Sequence, residues 1–409
     1  MENQFSEILI NAEKKMENYF NALKIMCEFN QQKVLQAFVD NKIGEEHFAY
    51  VTGYGHDDLG REALDNLFAT VFKTEKAVVR PHFVSGTHAL SCILFGLLRP
   101  NETMISVAGS PYDTLEEIIG IRGNKRDSLA GYGVNYLELS LKPDGEVDRK
   151  TLEKSINPSV HLAFIQRSRG YNFRKSLSID DIQEIIQIIK FKNPDCICFV
   201  DNCYGEFTEK NEPAEVGADI IAGSLIKNPG GGIVEAGGYI AGKENFVLSA
   251  ANRLTAPGIG ALGGSMFNQS RLILQGLFMA PSIVSDALKA MSLASMVFTE
   301  LGYLTSPAPE EKRTDIIQAI KLEDREKLIS FCKIVQSLSP VSSYVVPIPY
   351  KVPGYESEIV MAAGTFIEGS TIELSADGPL REPYVVYFQG GLNYSHVKIV
   401  LNSLIEKLS

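Results

Sequence analysis

The stretch that decides the fold is Cys198-Phe199-Val200-Asp201-Asn202-Cys203-Tyr204-Gly205, a short apolar run that ends in a carboxylate. Similar β-branched runs recur along the chain and alternate with helical patterns, which predicts an α/β fold with a mainly parallel sheet covered by helices on both faces. In such sheets functional groups lie beyond the carboxyl ends of the strands, where Asp201 is expected. The other predicted strands of this sheet are residues 77–79, 103–107, 134–139, 160–165, 219–222 and 238–241.

The predicted sheet occupies the middle of the chain. Residues 1–50 have the pattern of an N-terminal helical arm, residues 51–290 are assigned to the large α/β domain, and residues 291–409 to a smaller C-terminal α+β domain. A long helix is predicted between about residues 264 and 304. In the small domain, strands are predicted near residues 315–319, 343–346, 359–362, 371–374 and 384–388.

Composition and charge argue against several classes of protein. The 409 residues include 39 Lys and Arg and 50 Asp and Glu, a formal net charge of −11, which argues against a nucleic-acid partner. No apolar stretch approaches the roughly 20 residues of a membrane-spanning helix. The N-terminus carries Glu2, Glu7, Glu13 and Glu17 and does not read as a signal peptide. We therefore expect a cytoplasmic protein without a membrane partner.

The cysteines give no sign of a disulfide framework or a metal site. Six cysteines are too sparse and irregular for such a framework, so reduced thiols are expected. Cys196 and Cys198 lie in a predicted strand, and no second pair or nearby histidine completes a zinc site.

Two glycine motifs are interpreted as ordinary structure. Gly237 to Lys243 satisfies G-x-x-x-x-G-K, but Glu244 stands where a nucleotide-binding loop needs Ser or Thr, and the segment reads as a strand. Gly258 to Gly263 satisfies G-x-G-x-x-G without the preceding strand of a dinucleotide site, which favours a turn.

Three local features carry chemistry. Ser85-Gly86-Thr87-His88 opens a predicted helix, whose free N–H groups form a phosphate seat; the alternative is an ordinary Ser N-cap. Asp201, at the end of its strand, can keep a heteroaromatic nitrogen protonated, or it can cap the following turn. Lys227 precedes the glycines of residues 230–232 and can form a Schiff base with an aldehyde, or it is a solvated lysine.

Phosphate seat, aspartate and lysine occur in this order in fold-type I pyridoxal 5′-phosphate (PLP) enzymes. The sequence further resembles the methionine gamma-lyase/aluminium-resistance family of these enzymes from about residue 50 to its end. The phrases that carry this resemblance are GYGHDDLGR at residues 53–61, SGTHA at 85–89, IQRSRGY at 165–171, VDNCYGEF at 200–207 and GSLIKNPGGGI at 223–233.

The resemblance implies a role for each matching residue. Lys227 matches the lysine that carries the cofactor and Asp201 the partner of its ring nitrogen. Ser85, Gly86 and Thr87 match the phosphate cup, with Ser224 as a further phosphate ligand. Tyr112 matches the aromatic residue that stacks on the cofactor ring.

Two further positions match the family less completely. Related lyases use a Tyr-x-Arg to reach the phosphate of the neighbouring subunit, whereas this chain has Tyr54-Gly55-His56, so Tyr54 keeps that role and His56 or Arg61 supplies the donor. If this loop crosses over, the active unit is a homodimer or homotetramer with shared sites. Arg381 resembles the arginine that binds the substrate's α-carboxylate, with a pair to Glu382 or another surface acid as the alternative.

The resemblance implies a PLP-dependent carbon–sulfur lyase that acts on a sulfur-containing amino acid by methionine gamma-lyase-like or cystathionine beta-lyase-like elimination. The sequence does not choose between β- and γ-elimination. Aminotransferase or aldolase activity uses the same lysine and aspartate in this fold, and a non-catalytic PLP-binding regulatory protein is the alternative of another class.

Overall fold

The computed structural model describes residues 5–351 and 357–408. Within these residues a seven-stranded sheet forms the larger part of the fold. Its strands are β1 (Lys76–Arg80), β2 (Thr103–Ser106), β3 (Asn135–Glu138), β4 (Val160–Gln166), β5 (Ile197–Asp201), β6 (Ile220–Ser224) and β7 (Gly238–Gly242). Their spatial order is β1-β7-β6-β5-β4-β2-β3.

The sheet is mostly parallel. Strands β6, β5, β4, β2 and β3 pair in parallel, and β7 runs antiparallel between β6 and β1. Period-2 alternation divides the side chains of the central strands between two cores. In β5, Phe199 contributes to the core on one face, and Cys198 and Val200 to the core on the other. This confirms the predicted α/β fold, and β7 confirms that residues 237–243 contain a strand.

Helices cover both faces of this sheet. Helix α4 follows β1 and packs against α8 on one face, while α3 and α7 contribute to the core on the other face. The helices of this part of the chain are α1 (Glu7–Lys15), α2 (Glu17–Asp40), α3 (Leu59–Phe72), α4 (Gly86–Leu97), α5 (Asp113–Ile119), α6 (Arg149–Ser155), α7 (Ile179–Lys192) and α8 (Glu244–Leu254).

Helix α9 (Ser270–Glu300) connects the two sheets and contributes to the cores of both. The sequence pattern predicts no apolar stretch of membrane-spanning length. Helix α9 nevertheless reaches that length and apolar character, with 67% of its most apolar window buried inside the fold. Burial of this kind is typical of the core helix of a folded domain.

A smaller antiparallel sheet follows α9. Its spatial order is β10-β11-β12-β9-β8, and α10 and α11 pack against it. The predicted strand at residues 343–346 is wrong, because this segment is an exposed turn, and the strand predicted at residues 371–374 begins only at Ser375. The elements are β8 (Leu304–Ser306), β9 (Ile317–Lys321), α10 (Arg325–Ser337), β10 (Ile359–Ala362), β11 (Ser375–Pro379), β12 (Val385–Gln389) and α11 (Tyr394–Leu408).

Candidate active site

The site is built at the carboxyl edge of the large sheet. Strands β4 and β5 end side by side at Gln166 and Asp201, which are register partners, and β6 ends beside them at Ser224. Lys227 follows three residues later in a short turn. Because parallel strands bring their carboxyl ends to one edge, residues 60 positions apart along the chain meet here.

The predicted phosphate cup lies at the same edge. Ser85 is the N-cap of α4, and its Oγ accepts the N–H of His88 at 3.2 Å, so the ordinary capping role is present. A Cβ on Gly86 would lie 3.1 Å from Cβ of Ser224 and 3.3 Å from Sγ of Cys203. The start of α4 is therefore packed directly against the segments that carry Asp201 and Lys227, which brings the cup and Ser224 together.

Tyr112 joins this edge through two hydrogen bonds. Its hydroxyl lies 2.6 Å from the Thr87 hydroxyl, and its backbone N–H donates to Oε1 of Gln166 at 2.9 Å. Burial is the main cause that raises the pKa of the Tyr112 phenol, and the nearby Asp201 raises it further, so this phenol stays neutral at physiological pH.

The charges of Asp201 and Lys227 act on each other at this edge of the sheet. Asp201 is only 4% exposed, and its Oδ1 accepts the backbone N–H of Cys203 at 3.1 Å, so it also caps the turn after β5. Burial raises the pKa of the Asp201 carboxyl, and the charge of Lys227 opposes this. Burial alone would lower the pKa of Lys227, but Cys203, Tyr204 and Asp201 outweigh it and raise that pKa.

Sequence reasoning missed two residues of the site. The ring of Tyr204 lies beneath Lys227, with Nζ 4.0 Å from the ring centroid. Gln166 orients the backbone of Tyr112. Tyr204 lies in the same motif as Asp201, and Gln166 directly follows the predicted strand at residues 160–165. Their positions along the chain are therefore the signal that could have identified them.

The structure does not bring Tyr54 and His56 into contact with the cup residues of their own chain. Tyr54 is 82% exposed, and its ring lies 5.9 Å from that of the exposed His56. Arg61 is buried, and its Nη1 donates to the carbonyl oxygens of Gly55 at 2.5 Å and Gly264 at 3.3 Å. The Arg61 guanidinium therefore fixes the shape of the loop that carries Tyr54 and His56.

Arg381 lies at the surface after β11. Within residues 5–351 and 357–408 its side chain forms no ion pair with Glu382 or another acid at 4.0 Å or less. Burial raises the pKa of Tyr387 to about 12, and the charge of Arg381 acts in the opposite direction. This places Arg381 near the face of the small sheet on which the Tyr387 hydroxyl donates to the carbonyl of Tyr171 at 2.7 Å.

The cysteines and acids offer no metal centre in the described part of the chain. All six cysteines are unpaired, and no group of three or more His, Cys, Asp or Glu side chains is placed to hold an ion among the residues described.

Known proteins resemble this chain over nearly its whole length. Residues 5–409 match the family model described as methionine gamma-lyase. The Bacillus subtilis (strain 168) protein YnbB, whose function is uncharacterised, is 47% identical over 94% of this chain and 91% of its own.

Solved structures extend the comparison. A carbon–sulfur lyase involved in aluminium resistance from Clostridium novyi NT is 48% identical, with a TM-score of 0.95 over 98% of this chain and 95% of its own. A proposed cystathionine beta-lyase involved in aluminium resistance from Listeria monocytogenes is also 48% identical, with a TM-score of 0.96 over 98% of this chain and 99% of its own. The protein metB of Corynebacterium glutamicum has a TM-score of 0.59 at 14% identity over 86% of each chain, which shows a shared fold alone.

Proposed function

Because the chain belongs to the methionine gamma-lyase family, we propose that it is a pyridoxal 5′-phosphate-dependent lyase that cleaves a carbon–sulfur bond in a sulfur-containing amino acid. The observation that carries this proposal is the meeting of three groups at one sheet edge: the start of α4, the buried Asp201 carboxylate and the Lys227 amine. Two of the similar solved structures are those of a carbon–sulfur lyase and of a proposed cystathionine beta-lyase, which supports the same reaction class.

The residues at this edge fit PLP chemically. Gly86 leaves no side chain between the first turn of α4 and Ser224, so hydroxyl and N–H donors are available to a phosphate group. Asp201 is a buried carboxylate whose Oδ1 has one backbone donor, and a cationic ring nitrogen would balance its charge. Ser85, Gly86, Thr87 and Ser224 would hold the phosphate, Tyr112 and Asp201 the ring, and Lys227 the aldehyde carbon.

PLP, when bound, supplies a ring that accepts the electron pair left when a bond to the substrate α-carbon breaks. Lys227 would provide the base: its Nζ, left as a neutral amine when the substrate amine replaces it at the aldehyde carbon, would remove the α-proton and return a proton later. Asp201 would keep the ring nitrogen positively charged. Tyr112, with a phenol that stays protonated, would donate a hydrogen bond to a departing thiolate. We infer that Arg381 binds the substrate α-carboxylate.

An assay of product identity tests this function. Purified protein with PLP is given cystathionine, cystine, cysteine or methionine, with alanine and serine as sulfur-free controls. We expect free thiol, 2-oxo acid and ammonia in equal amounts from at least one sulfur substrate. Homocysteine and pyruvate from cystathionine would identify β-elimination, whereas cysteine and 2-oxobutanoate would identify γ-elimination.

Two lysine variants serve as a matched pair. Lys227→Ala should abolish turnover and borohydride fixation of the cofactor to the peptide that contains residue 227. Lys243→Ala should retain turnover and fixation. Nζ of Lys243 forms an ion pair with Oδ1 of Asp219 at 2.7 Å, and Asp219 lies at the other end of β6 from Lys227. Amino transfer to a 2-oxo acid without thiol release would instead assign an aminotransferase, and fixation at Lys243 would remove Lys227 from its role.

A further inference from the structure

Tyr204 occupies an unusual backbone position directly beside the proposed site. It lies three residues after Asp201, and its φ of +68° is in the left-handed region that residues other than glycine rarely adopt. Its side chain is nevertheless buried, with 7% exposed. A strained conformation at a buried aromatic residue is retained where the surrounding contacts require it, and these contacts indicate why.

The ring of Tyr204 faces the amine of Lys227. The 4.0 Å between Nζ and the ring centroid is well within the range of a cation–π interaction. In the described part of the chain Nζ of Lys227 has no hydrogen-bonding partner. The face of the Tyr204 ring is therefore the group with which the structure shows this amine to interact. We propose that Tyr204 is a positioning residue whose ring holds the Lys227 ammonium at the sheet edge. This inference rests on the proposed function of Lys227.

The small sheet fixes the ring in this place. The Tyr204 hydroxyl donates to the carbonyl of Ser370 at 3.1 Å and accepts Nε2–H of Gln389 at 3.0 Å. One residue before Lys227, the carbonyl of Ile226 accepts the N–H of Ile372 at 3.3 Å. Both the lysine turn and the ring beneath its side chain are therefore tied to the C-terminal part of the chain.

The interaction has a defined effect on the proton of Lys227. An aromatic face stabilises the ammonium and not the neutral amine, so the ring favours the protonated form. Other groups act on the same amine and are held constant in the test. They are Asp201 and Cys203 in the turn after β5, Glu206 in the segment that follows, and Tyr112 at the start of α5.

The test compares two rings of nearly the same shape at position 204. Tyr204→Phe keeps the aromatic face, and Tyr204→3,4,5-trifluorophenylalanine weakens its negative charge without removing its volume. In the full chain, freed of bound carbonyl compounds with hydroxylamine, reductive methylation by formaldehyde and cyanoborohydride reports the neutral Lys227 amine. Mass spectrometry of the peptide that contains Lys227 measures the rate between pH 6 and pH 11.

Below the raised pKa of Lys227 the methylation rate is proportional to the neutral fraction of the amine. We expect the fluorinated variant to be methylated at Lys227 roughly three- to thirtyfold faster than Tyr204→Phe at the same pH, the equivalent of a pKa lower by roughly half a unit to one and a half. Equal rates in the two variants would overturn the proposal. Lys327 provides the control, since its Nζ lies 5.3 Å from the centroid of a different ring, Tyr303, and its rate should be the same in both variants.

The readout does not depend on catalysis. A rate difference at Lys227 in a protein whose wild type releases no thiol would retain the role of Tyr204 and reject the lyase. Equal rates in a protein whose wild type does release thiol would reject only the role of Tyr204. If neither variant folds, thermal unfolding will show it, and Tyr204→Trp against Tyr204→Leu then gives the same comparison: equal rates again overturn the proposal.

Discussion

Asp201 acts through the single negative charge of its carboxylate. Its position at the end of β5 gives it little exposure to water, so its carboxylate interacts strongly with whatever cation lies next to it. A buried carboxylate has little effect on the binding of a neutral molecule. It has a large effect on turnover where a positive charge must be kept on the ring of the cofactor. The two effects separate in a suitable variant.

Asp201→Asn keeps the shape of the side chain and removes its charge. Electrostatic stabilisation in a buried site is worth several kcal/mol, so we expect turnover to fall by roughly two to three orders of magnitude. Borohydride fixation of PLP on Lys227 should persist, because the lysine and the phosphate cup are unchanged. Steady-state kinetics and peptide mapping measure the two effects, and turnover close to wild type would exclude Asp201 from the mechanism.

Glu206 is a second buried carboxyl near Lys227, with a different partner. It is 0% exposed, and its Oε1 accepts the Tyr239 hydroxyl at 2.8 Å. Burial raises the pKa of Glu206 to about 8 from its ordinary 4.5. The folded chain therefore binds a proton that the unfolded chain has lost, and the contribution of this group to stability falls as the pH rises from about 4.5 to about 8.

Glu206→Gln removes this titration while keeping an acceptor for Tyr239. We expect the stability of the variant relative to wild type to increase between pH 5 and pH 8, by several kcal/mol at most. Thermal unfolding midpoints at the two pH values measure it, with Glu117→Gln on the exposed face of α5 as the control. A relative stability that is the same at both pH values would show that Glu206 is ionised throughout.

Strands and helices determine which of these residues meet. The strands of the large sheet are predictable within about two residues because most of them are short apolar runs whose alternate side chains enter two cores. The small sheet was less predictable. Ile372 and Leu374 are apolar and buried, yet Ile372 bonds to Ile226 and Gly391, whereas the strand itself is the polar Ser375–Pro379.

The site also combines residues that a local sequence pattern marks with contacts that no such pattern marks. Ser85, Gly86, Asp201, Ser224 and Lys227 lie at strand or helix ends that a sequence pattern marks. The contacts of Tyr204 with Ser370 and Gln389 span more than 160 residues, and no local pattern encodes them.

Helix α4 carries a matched pair of glycines that separates cofactor binding from packing. Gly86 faces Ser224 and Cys203, whereas Gly96 faces the backbone of α8, with Cα of Ala250 3.0 Å from where its Cβ would lie. We expect Gly86→Ala to weaken PLP affinity by about tenfold or more, since a shift of a few tenths of an ångström at a phosphate seat costs binding energy. Gly96→Ala should leave PLP affinity unchanged. Both substitutions should lower the unfolding midpoint, because each added Cβ would lie 3.0 or 3.1 Å from its nearest neighbour.

Equilibrium titration with PLP and thermal unfolding of the apoprotein measure the two effects. Equal losses of affinity in both variants would mean that the start of α4 is not the phosphate seat.

At the scale of the whole molecule, large apolar side chains are exposed beside the cup and on the loop that carries Tyr54. Val84, which precedes Ser85, is 82% exposed, Tyr54 is 82% exposed, and Leu262 is 75% exposed. The loops of Tyr54 and Leu262 are neighbours, since the N–H of Gly264 donates to the Tyr54 carbonyl at 2.9 Å. Exposed apolar groups of this size on neighbouring loops are typical of an interaction surface. We propose that a second copy covers them and that Tyr54 and His56 reach the cup of that copy.

Mixing two inactive variants tests this proposal. One chain carries Tyr54→Phe with His56→Ala, and the other carries Lys227→Ala with a distinguishing tag. If each site uses the loop of one copy and the lysine of the other, a mixed dimer contains one site with both lesions and one site with neither, because a two-fold interface exchanges the same residues in both directions. Carbon–sulfur lyase activity should then return to about half of wild type per mixed dimer, which follows from one intact site in two. Native mass spectrometry of the tagged chains confirms exchange, and each variant alone must be inactive. Mixed dimers without activity would show that the loop serves its own chain, and Tyr54 and His56 would then lose their role as contacts across the interface.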